Sequence, residues 1–214
     1  MDQGKFIVLE GIDGAGTSTQ GPLLVKYLFE KDKKNVVLLT REPTKLSPYG
    51  LELRRRLTGD LLPGEITIND PEYWADLFIN DRKWHVDKVL MPSLRLGLQL
   101  ISDRYDLSTI AYQSAQGRDM EELIRKHEGL PVPDLTLLLD LPVEIAMQRA
   151  GKDSQRTKEY FDDRAFQEKV RTNYLVAAQK LNKSRNIVVI DSSRPIDEIA
   201  KEIQQEVNKL YGYK

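Results

Sequence analysis

The sequence of 214 residues contains no cysteine and only two histidines, His85 and His127. The lack of cysteine excludes disulfide bonds, thiolate zinc sites and cysteine nucleophiles, and two histidines are too few for a histidine metal cage. An excess of charge is also lacking, since 32 basic and 33 acidic residues give a net charge of −1. We therefore expect neither nucleic acid nor a membrane surface as a partner.

Long apolar runs are equally absent: the longest are a few residues, as in 137–139, far below the ~18 that span a bilayer. The first ten residues, MDQGKFIVLE, lack the basic start and apolar stretch of a secretory signal. These two features lead us to expect a cytoplasmic protein. The length suits one domain, so we expect residues 1–214 to form a single unit, with a lid at about 150–164.

Five short apolar segments alternate with polar stretches that are mostly long enough to be helices. They are residues 5–10, 35–40, 98–103, 134–141 and 186–191. Their apolar residues are consecutive rather than alternating, which is typical of strands buried on both faces of a parallel sheet. The pattern predicts a three-layer α/β fold, with a five-stranded parallel sheet flanked by helices. Functional side chains are expected at the carboxyl ends of those strands.

A glycine-rich loop, 11-GIDGAGTSTQ-20, joins the first predicted strand to a helix-like segment. Glycines let the backbone approach closely, so that its N–H groups and the helix N-terminus can surround a phosphate. The spacing of Gly11, Gly16 and Ser18 matches the P-loop pattern G-x-x-x-x-G-K-[ST], with Ser18 at the Mg²⁺-ligand position. The predicted phosphate-binding residues are Gly11, Ile12, Asp13, Gly14, Ala15, Gly16, Thr17, Ser18 and Thr19.

One residue departs from this pattern, because Thr17 stands where the P-loop has its lysine. That lysine reaches the β- and γ-phosphates as a flexible point charge, whereas threonine offers only a hydroxyl donor. Backbone amides and Mg²⁺ can still hold the phosphates. Transition-state charge, however, needs a cation from elsewhere, or the rate falls by orders of magnitude.

Five segments, in chain order, resemble the motifs of thymidylate kinases. They are 9-LEGIDGAG-16, 40-TREPT-44, 77-LFINDRKWH-85, 102-SDRYDLSTIAYQ-113 and 163-DRAFQEKVRTNYLVAA-178. Ordered motifs spread over roughly residues 5–178 are far more specific than the loop alone. The resemblance implies a nucleoside-monophosphate-kinase fold, usually a homodimer, that transfers the γ-phosphoryl of ATP to dTMP with Mg²⁺.

The resemblance also implies roles near the phosphate donor. Asp13 and Arg104 would be catalytic: Asp13 lies near the donor phosphate and the acceptor sugar, and Arg104 grips the acceptor phosphate. Ser18 and Asp103 would hold Mg²⁺, Asp103 through water, unless Asp103 instead orients Arg104. Arg149 would lie over the adenine of ATP as a planar stacking group.

The base contacts would come from two helices. The resemblance implies that Phe78 stacks on the thymine and that Arg82, four residues later on the same helix face, bonds its carbonyl edge. Ser108 and Thr109 would also meet the base. Without the resemblance, the four-residue spacing of Phe78 and Arg82 would be more typical of an aromatic side chain in the core and an arginine exposed to solvent.

The sugar and phosphate of the acceptor would have their own contacts. Tyr112 would lie under the sugar, where it crowds a 2′-hydroxyl, and Gln113 is a neighbouring candidate. Glu42 and Pro43 would shape the phosphate pocket. One arginine of the triplet 54–56, which we take to be Arg54, would reach that phosphate, although such a charge run is usually a solvated face.

The lid segment is predicted to be a mobile loop that closes on substrate. Our hypothesis is that Arg156, or else Lys152 or Lys158, supplies the charge that Thr17 lacks. Plain surface charge is the competing interpretation, because the acidic residues of the segment nearly cancel its basic ones.

Two other functions remain open at this point. Thr17 is compatible with a nucleotide-binding protein whose kinase activity is weak or lost. A kinase with a broader acceptor range, including dUMP, is also possible, since one methyl group discriminates only ~10–200-fold. In a dimer we expect the interface on residues 86–97 and the helix at 71–85, with Pro92 kinking or ending its helix.

Overall fold

In the computed structural model, five parallel strands form the centre of the described part of the chain, which is residues 4–66, 70–152, 161 and 163–213. The strands are β1 (Phe6–Glu10), β2 (Val37–Arg41), β3 (Gln99–Asp103), β4 (Leu135–Asp140) and β5 (Ile187–Asp191). Their order in the sheet is β2-β3-β1-β4-β5, and every neighbouring pair is parallel. The predicted three-layer α/β fold is confirmed, and each strand lies within two residues of its predicted bounds.

Helices connect and cover these strands. They are α1 (Thr17–Lys31), α2 (Pro48–Leu57), α3 (Pro71–His85), α4 (Met91–Arg95), α5 (Asp106–Ala115), α6 (Met120–Lys126), α7 (Val143–Lys152), α8 (Arg164–Leu181) and α9 (Ile196–Tyr211). A π-helical turn, Val86–Leu90, joins α3 to α4. Within the described ranges, no helix is both long enough and apolar enough to cross a lipid bilayer.

Burial on both faces explains the consecutive apolar residues of β1. Ile7 and Leu9 belong to the larger core cluster, on the side of α1, whereas Phe6 and Val8 belong to a second cluster. All five residues of the strand are buried, including Glu10 at its carboxyl end. The strand therefore carries one polar side chain into the interior, where the glycine-rich loop begins.

The segment around Pro92 differs from its expected form. Pro92 is the second residue of α4, which follows the π-helical turn without a break, and the helix continues to Arg95. The irregularity comes earlier, in the π-helical turn that follows His85. Pro92 therefore neither ends nor interrupts α4.

Candidate active site

The glycine-rich loop has a backbone that only glycine accepts at two positions. Gly14 has a φ of 86°, and a Cβ there would lie 2.2 Å from the carbonyl oxygen of Ala146. A Cβ on Gly11 would lie 2.7 Å from the carbonyl oxygen of Leu139. The loop is thus packed tightly against β4 and α7, which fixes the direction of its N–H groups.

The start of α1 leaves backbone donors for an anion. Side chains cap α2, α3, α6 and α8, through Ser47, Asp70, Asp119 and Asp163. Helix α1 instead follows Gly16, in the left-handed region, with no side-chain cap from the described residues. Of the predicted phosphate-binding residues, 12–19 line one cleft of about 1120 Å³, whereas Gly11 is not part of its lining. Such a helix N-terminus can hold the phosphates of a nucleotide.

Arg104 lies between this loop and a second, smaller cavity. Its φ of 78° is in the left-handed region, and its N–H donates to the carbonyl of Leu9, 2.8 Å away. The guanidinium donates to Asp13 Oδ1 at 2.6 Å and to the carbonyl of Gly11 at 2.9 Å. Burial opposes its charge, but Tyr112 and Asp13 raise the pKa of Arg104 well above the ordinary arginine value. The structure thus brings two of the three predicted catalytic residues, Asp13 and Arg104, into one ion pair.

Glu10 holds the other side of Arg104 through two hydroxyl groups. Arg104 Nη1 donates to Ser108 Oγ at 3.2 Å and to the Tyr174 hydroxyl at 3.1 Å. Ser108 Oγ in turn donates to Glu10 Oε2 at 2.5 Å, and the Tyr174 hydroxyl donates to the same oxygen at 3.2 Å. Glu10 also accepts the N–H of Tyr105 at 2.8 Å. The network fixes the rotamer of Arg104 from β1, α5 and α8.

The buried carboxyl of Glu10 gives folding stability a pH dependence. Burial raises its pKa from 4.5 to about 7, against the opposing effects of the Ser108 hydrogen bond and the charge of Arg104. The folded protein therefore keeps this proton at a pH where an unfolded chain has lost it. This contribution to stability is fully present below pH 4.5 and is lost as the pH rises through about 7; it amounts to about 3 kcal/mol.

We predict that Glu10→Gln removes this contribution from the pH profile. The free energy of unfolding of the natural protein, measured relative to the variant, should fall as the pH rises from 4.5 to about 7. Urea unfolding of both proteins at several pH values checks this, with Glu128→Gln on the surface as the matched control. A constant difference between the natural protein and Glu10→Gln would contradict the prediction.

Asp103 and Ser18 offer oxygen ligands to a divalent cation. Arg41 donates twice to Asp103 Oδ2, at 2.9 and 2.6 Å, whereas Asp103 Oδ1 is buried without a partner among the described residues. Asp103 and Ser18 line the same cleft. Within the described ranges no cluster of three acidic or histidine residues forms a closed metal cage. One carboxylate and a hydroxyl suit Mg²⁺, which keeps water and phosphate ligands, so the residues fit this ion.

The smaller cavity adjoins the cleft and holds most of the predicted acceptor residues. It is lined by Asp13, Pro43, Leu57, Phe78, Arg104, Ser108, Thr109, Tyr112, Gln113 and Phe161. Glu42 and Arg54 line the larger cleft instead. Asp13, Pro43, Leu57 and Arg104 line both cavities. The cavity therefore opens towards the glycine-rich loop at the Asp13–Arg104 pair.

Gln113 carries an acceptor that no described residue uses. Its side chain is completely buried, and Nε2 donates to Gln116 Oε1 at 2.9 Å. Gln113 Oε1 is also buried, and it has no hydrogen-bond partner among the described residues. A buried, unsatisfied amide oxygen is costly unless a ligand supplies a donor. Its place in the lining of the small cavity makes it suited to an N–H of a base.

Arg82 lines neither cavity, because its guanidinium is buried in a network of protein acceptors. Nε donates to Glu42 at 2.8 Å, Nη1 to Thr109 Oγ1 at 3.1 Å and Nη2 to the carbonyl of Tyr105 at 2.7 Å. Nη1 also donates to His127 Nε2 at 2.6 Å. Burial, together with the charge of Arg82, lowers the pKa of His127 to about 4, so that its ring accepts this bond as the neutral form. The predicted contact of Arg82 with the base has no counterpart in this arrangement.

The other histidine joins the same network. His85 Nδ1 donates to Glu42 Oε1 at 2.9 Å, and its Nε2 lies 2.8 Å from Thr40 Oγ1. Both histidines of the chain thus contact the Arg82–Glu42 pair. The network connects α3 to the end of β2 and to α6.

Residues 42–47, which we call the acceptor loop, are anchored to α3 by Asp81. Its Oδ2 accepts the N–H of Thr44 at 2.8 Å, and its Oδ1 accepts the hydroxyls of Thr44, at 2.6 Å, and Ser47. Arg54 of α2 lines the cleft and donates to the carbonyl of Pro43 at 3.3 Å. The two neighbouring arginines pair with Glu52 and Glu65 instead.

Arg149 forms a fixed planar surface in the lining of the cleft. Its guanidinium donates to the carbonyls of Ser192, Ser193 and Arg194, at 2.7, 3.1 and 3.4 Å. Pro195 and Ile196 lie in the same part of the lining. A planar cation beside apolar side chains is a surface on which an adenine can stack.

The predicted lid is described only in part. Residues 150–152 form the last turn of α7, and Phe161 packs against Trp74, Tyr112 and Phe166. Arg156 and Lys158, which were expected to compensate for Thr17, lie outside the described residues. Lys152 lies in α7.

The site is also shaped by three residues that were not among the predicted site residues: Glu10, Arg41 and Tyr174. Glu10 has a signal that could have found it, because it is a charged residue at the end of an otherwise apolar strand. Tyr174 has none, since it lies 164 residues from the carboxylate that it contacts. Such contacts depend on how α8 packs against α5.

Comparison with known proteins gives one consistent result. A family model described as thymidylate kinase matches residues 9–203. A probable thymidylate kinase of Thermococcus kodakarensis is 40% identical over 212 residues, which are 97% of this chain and 98% of that protein. A thymidylate kinase of Desulfotalea psychrophila is 35% identical over 207 residues, which are 97% of this chain and 96% of that protein.

A solved structure agrees with these sequence matches. The thymidylate kinase of Candida albicans, described as having broad substrate specificity, superposes with a TM-score of 0.80 and 25% identity. The match covers 99% of this chain and 94% of that one.

Proposed function

Because the chain belongs to the thymidylate kinase family and phosphorylates dTMP, we propose that the γ-phosphoryl of ATP crosses between its two cavities at the Asp13–Arg104 pair. The observation that carries this proposal is that both residues line both cavities. A nucleotide held by the glycine-rich loop and a monophosphate in the small cavity would meet there. The donor base would stack on Arg149.

The reaction needs no covalent intermediate with the protein. A phosphate oxygen of dTMP forms a bond to the γ-phosphorus while the bond from that phosphorus to the β–γ bridging oxygen breaks, giving dTDP and ADP. Arg104 is the cation fixed between the two phosphates, and Asp13 and Glu10 hold it in place through the contacts described above. Catalysis then depends on positioning and on charge neutralisation.

We propose Mg²⁺ as the accompanying ion, held by Ser18 and by Asp103, directly or through water. When bound, it neutralises charge on the donor phosphates. Arg41 orients Asp103 through its two hydrogen bonds to Oδ2, which leaves Oδ1 for the ion or its water. We also propose that the protein is a homodimer, as the family resemblance implies, and that it works in the cytoplasm.

Acceptor selection is proposed to come from the small cavity. Phe78, Thr109 and Tyr112 supply its apolar and hydroxyl contacts, and Gln113 supplies an acceptor for the N3–H of thymine. Uracil carries the same N3–H, so dUMP should be a slower acceptor, by ~10–200-fold for its missing methyl group. Cytosine has no N3–H and should be rejected more strongly.

A coupled ADP-release assay with ATP and Mg²⁺ tests the proposed function. We expect dTMP to support turnover at about 1–100 s⁻¹, dUMP to be slower, and dCMP or no acceptor to give almost none. Tight binding of ATP and dTMP without turnover would instead establish a nucleotide-binding protein, the alternative that Thr17 favours. Similar rates with dTMP, dUMP and dCMP would overturn the role of Gln113.

The variant Gln113→Leu tests base recognition in the same assay. We expect it to lower kcat/KM for dTMP by about 10–100-fold, mainly through KM, because the N3–H of thymine loses its acceptor. The preference for dTMP over dCMP should shrink as well. Gln205→Leu on the exposed side of α9 is the matched control. An unchanged KM for dTMP would rule out this contact.

A further inference from the structure

Thr17 leaves the glycine-rich loop without the cation that its pattern normally supplies. The residue begins α1, is buried, and offers a hydroxyl but no charge. If dTMP is phosphorylated at the proposed site, another side chain must neutralise the charge that develops on the transferred phosphoryl group. This requirement rests on the proposed function, and it narrows the choice to cations that line the cleft.

Most of the described cations around the cleft already have acceptors. Five arginines line it and donate to protein oxygens: Arg41, Arg54, Arg104, Arg149 and Arg194. Lys45 lines the same cleft, is exposed, and has no hydrogen bond or ion pair with any residue that the structure describes. Its ammonium group is therefore available for a phosphate without first breaking a protein contact.

The backbone of Lys45 is fixed although its side chain is not. Thr44, immediately before it, donates its N–H and its hydroxyl to Asp81, and Ser47 donates its hydroxyl to the same carboxylate. In the sheet, only β3 separates β2, which leads into the acceptor loop, from β1, which leads into the glycine-rich loop. An anchored backbone lowers the entropy that a flexible lysine loses when it binds a phosphate.

We infer that Lys45 supplies the positive charge that Thr17 lacks, by contacting the γ-phosphoryl group of ATP from the acceptor loop. Its ammonium group neutralises charge on the equatorial oxygens while the bond to the bridging oxygen breaks and the bond to the dTMP oxygen forms. The charge thus comes from the β2–α2 connection instead of from the first turn of α1.

A double-mutant cycle between positions 45 and 17 tests this inference, because only a replacement for the missing lysine depends on what occupies position 17. In the natural protein, Lys45→Met should lower kcat with dTMP by about 100-fold. In the Thr17→Lys background the same change should cost less than about threefold, since the loop then carries its own cation. Lys201→Met, at an exposed site on α9, should change kcat less than about twofold in either background.

Other variants separate charge from structure and from the lid. Lys45→Arg keeps the charge and should retain kcat within about tenfold of the natural protein. If Thr17→Lys does not fold, the kcat values of Lys45→Arg and Lys45→Met, compared in the natural background, decide whether the charge at position 45 is needed. Arg156→Met tests the competing hypothesis that the lid supplies the charge. The inference would be overturned if Arg156→Met lowered kcat in the natural protein but not in the Thr17→Lys background, while Lys45→Met lowered kcat equally in both.

The remaining outcomes are equally decisive. A loss of less than about threefold in Lys45→Met, or equal losses in both backgrounds, would show that Lys45 does not replace the missing lysine. Turnover only after Thr17→Lys would show that no residue replaces it, while the proposed site would stand. No turnover in either protein would overturn the proposed function and, with it, the role of Lys45.

Discussion

Replacing Arg104 by alanine is expected to lower kcat for dTMP phosphorylation by about 10³ to 10⁵-fold, the range that a transition-state arginine supplies in phosphoryl transfer. Arg104 lines both cavities, and Asp13 holds its guanidinium by an ion pair. Its left-handed backbone is a further sign of function, since such a conformation costs energy that the surrounding contacts must offset. The KM values for ATP and dTMP should change far less than kcat, because the largest charge develops in the transition state.

Lysine should not rescue this position. A single ammonium group cannot reproduce the fork that contacts Asp13, Gly11 and Ser108 together, so Arg104→Lys should recover less than about tenfold of the lost rate. Steady-state kinetics on the natural protein and both variants give the comparison. Arg125→Ala, on the exposed side of α6, is the matched control and should leave kcat unchanged. If Arg104→Ala kept a tenth of the natural kcat, Arg104 would not be the central cation.

Replacing Arg82 by methionine is expected to destabilise the protein by about 3–5 kcal/mol, the cost of removing one partner from a buried ion pair. The side chain of Arg82 is 1% exposed, and its loss leaves Glu42 as a buried carboxylate without its main partner. His127 Nε2 and the carbonyl of Tyr105 lose their donor as well. The acceptor loop begins at Glu42, so the loss should also loosen the phosphate pocket.

Urea unfolding checks this prediction, and a second arginine provides the contrast. Arg164 pairs with Glu144 at the surface, where both side chains are more than half exposed, and Arg164→Met should cost less than about 1 kcal/mol. Combining Arg82→Met with Glu42→Gln should restore part of the lost stability, because the orphaned charge is removed. Unchanged stability with a raised KM for dTMP alone would show instead that Arg82 reads the base.

The strands and the glycine-rich loop could be predicted because their signals are local. The continuous apolar runs predict all five strands to within two residues of their bounds. Burial on both faces explains the runs of β1, β3 and β4, whereas the edge strands β2 and β5 carry similar runs although they are partly exposed. The loop is recognisable because Gly11, Gly14 and Gly16 have backbone conformations that disfavour other residues. The ordered motifs around it gave the family, which the comparisons confirmed.

The roles of individual polar residues could not be predicted in the same way. Asp81, Arg82 and His85 belong to one motif, yet the sequence does not reveal that Asp81 anchors the acceptor loop or that both histidines contact the Arg82–Glu42 pair. A motif specifies which side chains are present, whereas the packing of α3 against β2 and α6 specifies which acceptors they meet. The predicted base contact of Arg82 therefore stays a prediction.

The sequence by itself determined the fold class, the phosphate-binding loop, the family and the absence of a lysine at position 17. Only the tertiary structure decided that Glu10 and Tyr174 hold Arg104. It also decided that, among the described residues, neither the Oε1 of Gln113 nor the ammonium group of Lys45 has a partner. The physical reason is the range of the interactions. Strand burial and glycine dihedrals are encoded by neighbouring residues, whereas hydrogen-bond saturation depends on side chains that lie close in space but many tens of residues apart in the sequence.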